Sequence, residues 1–294
     1  MRLPPWHPHP DVWLLVALLE GGYLWALSRL RPVPREGPGS DVLADPAASR
    51  RQIVTFTLGV AAIWIASDWP VHDLAERYLL SVHMTQHMLI SLVAPPLLLI
   101  GLPPWLLRRM VSARPINWLV RTLARPLLAL IIFNVVIAVT HAPPVAQAML
   151  EHHPWHFVGH AALFSSALLM WWPVVSPLPE MPTLSYPGRM VYLFLQSLLP
   201  TIPASFLTFG TTPLYPFYAH VPRIWGISVM TDQLIAGLIM KLVGGAILWS
   251  VIGVVFFRWY RLEQNGWDAL AWHGVEREVR SGMREERRRE PSRR

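Results

Sequence analysis

The sequence predicts an all-α integral membrane protein, with seven transmembrane helices in one bundle, the N-terminus outside and the C-terminus in the cytoplasm. Three observations predict it. Of 294 residues, 53% are hydrophobic and only 15% charged, a membrane rather than a soluble composition. Apolar runs near the roughly 20 residues a helix needs to cross the hydrocarbon core recur at 11–30, 52–69, 77–100, 127–143, 155–175, 189–209 and 229–257. The arginines are also unevenly shared between alternate loops. Arg29, Arg31, Arg35, Arg50, Arg51, Arg108, Arg109, Arg114, Arg121, Arg125, Arg189 and those from Arg258 onward fall on one side, against Arg2, Arg77 and Arg223 on the other. The positive-inside rule assigns the first set to the cytoplasm.

The elements follow in order. "MRLPPWHPHPD" leads straight into a full-length apolar run, with no basic segment, short apolar core and small-residue cleavage site, so no cleaved signal peptide is expected. The third span begins with polar residues and projects beyond the lipid, and Pro95 and Pro96 kink or end it near its cytoplasmic side. "WLLRRMVSARPINWLVRTLARP" reads as an amphipathic helix lying on the cytoplasmic interface. The fourth span closes in "VTHAPP" and the fifth opens in "HHPWHFVGH". A proline-rich loop, "SPLPEMPTLSYPG", precedes the sixth, and an aromatic outer loop containing His220 separates it from the seventh, which is long enough to tilt. The layout is a transmembrane domain over 1–260 and a charged cytoplasmic tail over 261–294, whose mixed charges read as a solvated end.

Composition also excludes whole classes of chemistry. The chain has no cysteine, so disulfides, thiolate metal sites, iron–sulfur clusters and cysteine nucleophiles are all ruled out. Soft-metal binding must use histidine and methionine. The net charge of +7 is spread between apolar runs and the tail, which is a topology signal rather than a nucleic-acid footprint.

Sorted by side, the histidines are lopsided. His7, His9, His72, His83, His87, His141, His152, His153, His156, His160 and His220 fall on the outer side, and only His273 on the cytoplasmic side. Residues four apart on a helix turn about 400° and rise about 6 Å, so His83 and His87 share a face, as do His156 and His160. If the third helix continues outward, His72 and Glu76 join the His83 stripe, and His141 lies at the same depth. Two such pairs on facing helices supply up to four imidazole ligands for copper, zinc or iron. Met84 and Met88 sit about 100° round from the histidines and read as packing. The alternatives are interhelical hydrogen bonding between these imidazoles, and haem.

"HMTQHMLISLVAPPLLLIGLPPW" (83–105), "HHPWHFVGHAALFSSALLMWWPVV" (152–175) and "SVMTDQLIAGLIM" (228–240) resemble the signature stretches of the polytopic CtaG-type cytochrome c oxidase assembly factors, bacterial seven-span membrane proteins. The resemblance runs from the second span onward. It implies a non-enzymatic assembly factor for a haem–copper oxidase of the caa type, in the bacterial cytoplasmic membrane, that helps copper reach the oxidase. Its partners would be oxidase subunits, an extracytoplasmic copper donor and membrane lipid. His83, His87, His156 and His160 match the family's motif positions, as do Asp232 and Gln233; Lys241 stands where the family commonly has tryptophan. The expected copper ligands are therefore drawn from the two pairs and His141. Asp232 is expected either to hydrogen-bond an imidazole or to serve a helix N-terminus.

Lys241, the chain's only lysine, lies deep in the seventh span, and Glu20 is the one acid at comparable depth. An intramembrane charge wants a partner, so a Glu20–Lys241 pair between the first and seventh helices is expected. A retinal protein would need a carboxylate counter-ion in the third span, which has none past Glu76. A di-iron hydroxylase would need histidine boxes on the cytoplasmic side. A bis-histidine haem protein and a copper transporter remain as alternatives; the transporter would have to build its polar path from Asn134, Gln196 and Lys241.

Overall fold

The computed structural model describes residues 4–30, 48–175, 177, 178, 180, 181 and 183–264. Every regular element among them is helical. Helix α1 spans Pro10–Arg29, α2 Arg50–Ser67 and α3 Val71–Arg77. The third apolar run forms α4 (Leu80–Met88), a π-helical turn (Leu89–Val93) and α5 (Ala94–Gly101). Then come α6 (Pro104–Met110), α7 (Arg114–Leu123), α8 (Pro126–Thr140), α9 (Pro143–Glu151), α10 (His153–Val175), α11 (Tyr186–Leu198), α12 (Thr201–Phe209) and α13 (Pro216–His220). The last run is α14 (Val229–Leu238), a second π-helical turn (Ile239–Val243) and a continuing helix over 244–264. The expected charged tail lies outside the described residues from 265 onward.

Among the described residues, five helices are long and apolar enough to cross a membrane: Pro10–Arg29, Leu80–Gly101, Pro154–Val175, Tyr186–Phe209 and Val229–Gln264. The number rises to seven if α2 with α3 and α7 with α8, bent by 40° and 81°, each form one span. The surface suits lipid. Leu18, Trp25, Leu58, Ile65, Val135, Phe194, Leu242 and Phe257 are all exposed, far more apolar side chain than a water-facing surface carries. Two departures from the sequence reading concern span ends. The third span begins at Leu80, because the chain breaks at Tyr78 and Leu79 and leaves α3 as a separate short helix. Helix α8 has 15 residues, about 22 Å, and α7 turns sharply away from it.

Two apolar clusters hold the bundle. The larger centres on Phe133, Met170, Trp171, Leu193 and Leu207; the smaller joins Tyr23 of α1, Phe56 and Ile63 of α2 and Leu98 of α5. Glycine sets the α2–α5 distance: a Cβ on Gly101 would lie 2.5 Å from the backbone nitrogen of Phe56, and one on Gly59 2.9 Å from the Leu98 side chain. The Tyr23 hydroxyl donates to the Gly101 carbonyl at 2.9 Å and ties α1 to this pair.

The prolines of the third apolar run do not end it, and the helix continues to Gly101. An α-helical carbonyl of Ser91 would accept from residue 95 and a π-helical one from residue 96; both are proline and have no N–H. The Trp171 indole of α10 donates to that carbonyl instead, at 3.0 Å. The Ser91 hydroxyl in turn donates to the His87 carbonyl at 2.6 Å.

Candidate metal centre

Helix α4 carries His83 and His87 one turn apart, and α10 carries His156 and His160 in the same relation, with the two pairs facing one another. Ring centroids lie 4.3 Å apart within each pair, and 5.5 Å (His83–His156), 5.7 Å (His83–His160) and 5.1 Å (His87–His160) across the helices. His141, just past the end of α8, adds a fifth ring 5.4 Å from His87. His83, His87, His141 and His156 are buried.

Three of the five bring ligand atoms together: one nitrogen each from His83, His87 and His160 lies within 4.8 Å of the others. An ion with bonds of about 2.0–2.1 Å to imidazole would draw them closer by small side-chain rotations. The nitrogens themselves lack partners. Nδ1 of His83, both ring nitrogens of His87, Nε2 of His156 and Nε2 of His160 are buried without a hydrogen bond. Buried polar atoms are nearly always paired, and leaving one unpaired costs about 1–3 kcal/mol. This set of orphaned imidazole nitrogens, with no charged group among them, fits a metal that accepts neutral nitrogen donors.

The surrounding groups set how each ring is turned. His156 Nδ1 lies 2.6 Å from the Glu76 carboxylate, which leaves Nε2 for the cluster. His141 Nδ1 lies 2.9 Å from the Ile137 carbonyl; its own carbonyl accepts from the Tyr215 hydroxyl at 2.9 Å. The Tyr218 hydroxyl donates to the Ala75 carbonyl at 2.7 Å, fixing α13 over α3. Burial first, then the Asp232 and Glu76 carboxylates, push the Tyr218 hydroxyl well above its ordinary range, so it remains a neutral donor.

Asp232, at the start of α14 and 1% exposed, accepts from the backbone amides of Leu80 at 2.8 Å and Ser81 at 3.0 Å. It serves the N-terminus of a neighbouring helix, α4, rather than an imidazole. The break at Tyr78–Leu79 is what exposes those amides, and the carboxylate fixes the start of the helix whose next turns bear His83 and His87. Gln233 beside it accepts from the Leu214 amide at 2.7 Å and holds the loop before α13.

The expected Glu20–Lys241 pair does not form. Glu20 accepts from the Thr57 hydroxyl of α2 at 2.7 Å. Lys241 is exposed in the second π-helical turn, its ammonium 5.9 Å from the Phe209 ring centroid. Helix α1 packs on α2, and Lys241 follows α14, so the two charges do not come to one face. Asn134 donates to Gln196 at 2.7 Å, Gln196 to the Tyr192 hydroxyl at 3.3 Å, and Tyr192 to the Met170 carbonyl at 3.0 Å. They tie α8, α11 and α10 together.

Several participants escaped the sequence reading. Met84 and Met149 line a cavity of about 20 Å³ with His83, His87, His141 and His156, room for about one water-sized occupant. Met149 comes from α9, a short helix with no motif to mark it. Glu76 was visible only as a member of a stripe on a continuous third helix. It reaches His156 although that helix is broken, because α3 folds over the cluster.

Fold and site together define a helical membrane protein carrying a buried cluster of imidazoles at one end of its bundle. The chain belongs to the cytochrome c oxidase caa3 assembly factor family (Caa3_CtaG), whose profile matches residues 21–262. It is also 25% identical over 218 residues to the uncharacterized proteins Mb0105 of Mycobacterium bovis and MT0111 of Mycobacterium tuberculosis. Those matches cover 68% of this chain but 31% of each relative, so the chain spans about a third of their length. No solved structure matches it.

Proposed function

We propose that this chain holds a copper ion in the histidine cluster and passes it to a haem–copper oxidase under assembly. Membership of an oxidase assembly family supplies the oxidase. The observation that carries the copper is the set of buried, unpartnered imidazole nitrogens on His83, His87, His156 and His160. His83, His87 and His160 would hold the ion, with His156 and His141 as neighbouring donors. Copper is cargo in this reading, not a resident cofactor. The protein's own contribution is orientation and exclusion of water: Glu76 turns His156, Asp232 fixes the start of α4, and Tyr215 and Tyr218 tie the aromatic loop across the cluster. The arginine distribution supports placing this end of the bundle on the outer side of a bacterial cytoplasmic membrane, where an extracytoplasmic donor can reach it.

Metal analysis of the full chain, purified in mild detergent and loaded with copper, tests the reading. Wild type should retain about one copper per chain, the capacity of one three-histidine site. His83→Ala/His87→Ala should retain none while melting as a folded protein. Unchanged stoichiometry in that variant would remove the site.

A further inference from the structure

A second group of imidazoles and carboxylates lies above the cluster and belongs to none of its ligands. Asp73 of α3, 1% exposed, is contacted by two histidines of the segment preceding α1: His9 Nε2 at 3.0 Å and His7 Nδ1 at 3.3 Å. Arg77 Nε lies 3.7 Å from the same carboxylate. The His9 ring meets the His72 ring edge-on at 4.9 Å. His72 Nε2 is 3.2 Å from Glu76 Oε1, and that oxygen is 2.6 Å from His156 Nδ1. His156 then faces His83 and His160 through its unpartnered, buried Nε2.

From this continuity we propose that His7, His9, Asp73, His72, Glu76 and His156 form an entry path along which a copper ion moves from the surface into the cluster. The proposal rests on the copper reading above. Neighbouring groups lie within reach of one another, and side-chain exposure is 40% at His7, 16% at His9, 1% at Asp73, 22% at His72, 13% at Glu76 and 7% at His156, so the path runs from an exposed first histidine to a buried last one. Imidazoles and carboxylates follow one another, with His9 and His72 meeting ring to ring, a donor set for a borderline or hard cation. Asp73 is shared by His7 and His9 and Glu76 by His72 and His156, so at those two steps an ion leaving one imidazole keeps a negative oxygen until the next receives it; between His9 and His72 it passes from ring to ring. Arg77 beside Asp73 offsets part of that charge, which favours passage over permanent retention. His7 and His9 precede the residues matched by the family profile, so this end of the path belongs to this chain's own sequence. His7-Pro8-His9 is held at the bundle rather than free in solution: Trp69 Nε1 donates to the Pro4 carbonyl at 3.3 Å and Trp13 Nε1 to Asp68 at 2.9 Å.

The test separates rate from capacity. Cu(II) salt is mixed with the full chain in nanodiscs, uptake is followed by stopped-flow quenching of tryptophan fluorescence, and the final copper content is measured. His7→Ala/His9→Ala and His72→Ala should load at least about tenfold more slowly, the low end of what charge-lined clefts contribute to association. Both should reach wild-type copper content and unfold cooperatively as folded proteins. Unchanged loading rates in both variants overturn the path and leave the cluster standing. No uptake by wild type overturns the copper reading and the path with it. A reduced final content in the His7/His9 variant makes those residues ligands of a resident ion and also overturns the path. The double alanine variant lies in the segment ahead of α1, so it decides the matter even if His72→Ala fails to fold.

Discussion

Asp232→Asn separates the two roles open to that carboxylate. Its two oxygens accept from the Leu80 and Ser81 amides at 2.8 and 3.0 Å, at a site 1% exposed. Hydrogen bonds to a charged partner contribute about 1.5–3 kcal/mol each, and a carboxylate at a helix N-terminus gains up to about 2 kcal/mol from the helix dipole. Asparagine keeps one acceptor oxygen and turns an NH2 group toward the second amide, so one bond is lost and an N–H is left buried and unpaired. The expected cost is about 2–4 kcal/mol, or a melting point lower by about 4–10 °C on the scale of soluble domains. Thermal unfolding of the metal-free protein in mild detergent, followed by circular dichroism, reads it. Copper affinity should fall as well, because His83 and His87 lie in the first turns of the helix that Asp232 fixes. A variant that melts with wild type yet binds copper weakly would refute the reasoning, since that outcome belongs to a carboxylate acting on an imidazole.

Two further perturbations follow from named contacts. Trp171→Phe removes the donor to the Ser91 carbonyl and should cost about 2–3 kcal/mol, from a lost bond and a smaller side chain; Pro95→Ala restores a backbone N–H, and in that background the same change should cost about 1 kcal/mol less. Glu20→Gln should cost under about 1 kcal/mol, since glutamine still accepts from Thr57, and its effect should add to that of Lys241→Leu within about 0.5 kcal/mol; a larger coupling in unfolding experiments would restore the pair that the fold keeps apart.

What the sequence disclosed was what depends on period and length. The apolar runs located the spans, and four-residue spacing placed His83 with His87 and His156 with His160 on single helix faces. Charged and aromatic roles that depend on azimuth were illegible. Glu20 and Lys241 share a depth, but α1 packs in the smaller core with α2 and α5, so equal depth carried no information about contact. Asp232 acts on backbone amides of a helix that starts only because the chain breaks at Tyr78–Leu79, and neither residue is a glycine or proline that would announce a break. Met84 read as packing from its offset to His83. It lines the cavity because α9 and α13 close that side with Met149, Tyr215 and Tyr218, and no spacing rule links those segments to α4.

The two π-helical turns explain how one span can serve both as scaffold and as ligand holder. The lower part of the third span, α5, must present Gly101 and Leu98 to α2, where the backbones nearly touch. The upper part, α4, must present His83 and His87 to α10 and its first amides to Asp232 on α14. A single α-helical register fixes the angle between those faces. The π turn at Leu89–Val93 inserts an extra residue, and one residue corresponds to about 100° of rotation. It thus turns the histidine face independently of the α2 contact. The seventh helix repeats the device at Ile239–Val243, immediately before Gly244, where an added Cβ would lie 3.2 Å from Met88 Sδ. A regular helix at Leu89–Val93 that kept the contact with α2 would turn His83 and His87 away from α10, so this irregularity sits where the bundle's packing and its chemistry make different demands on the same helix.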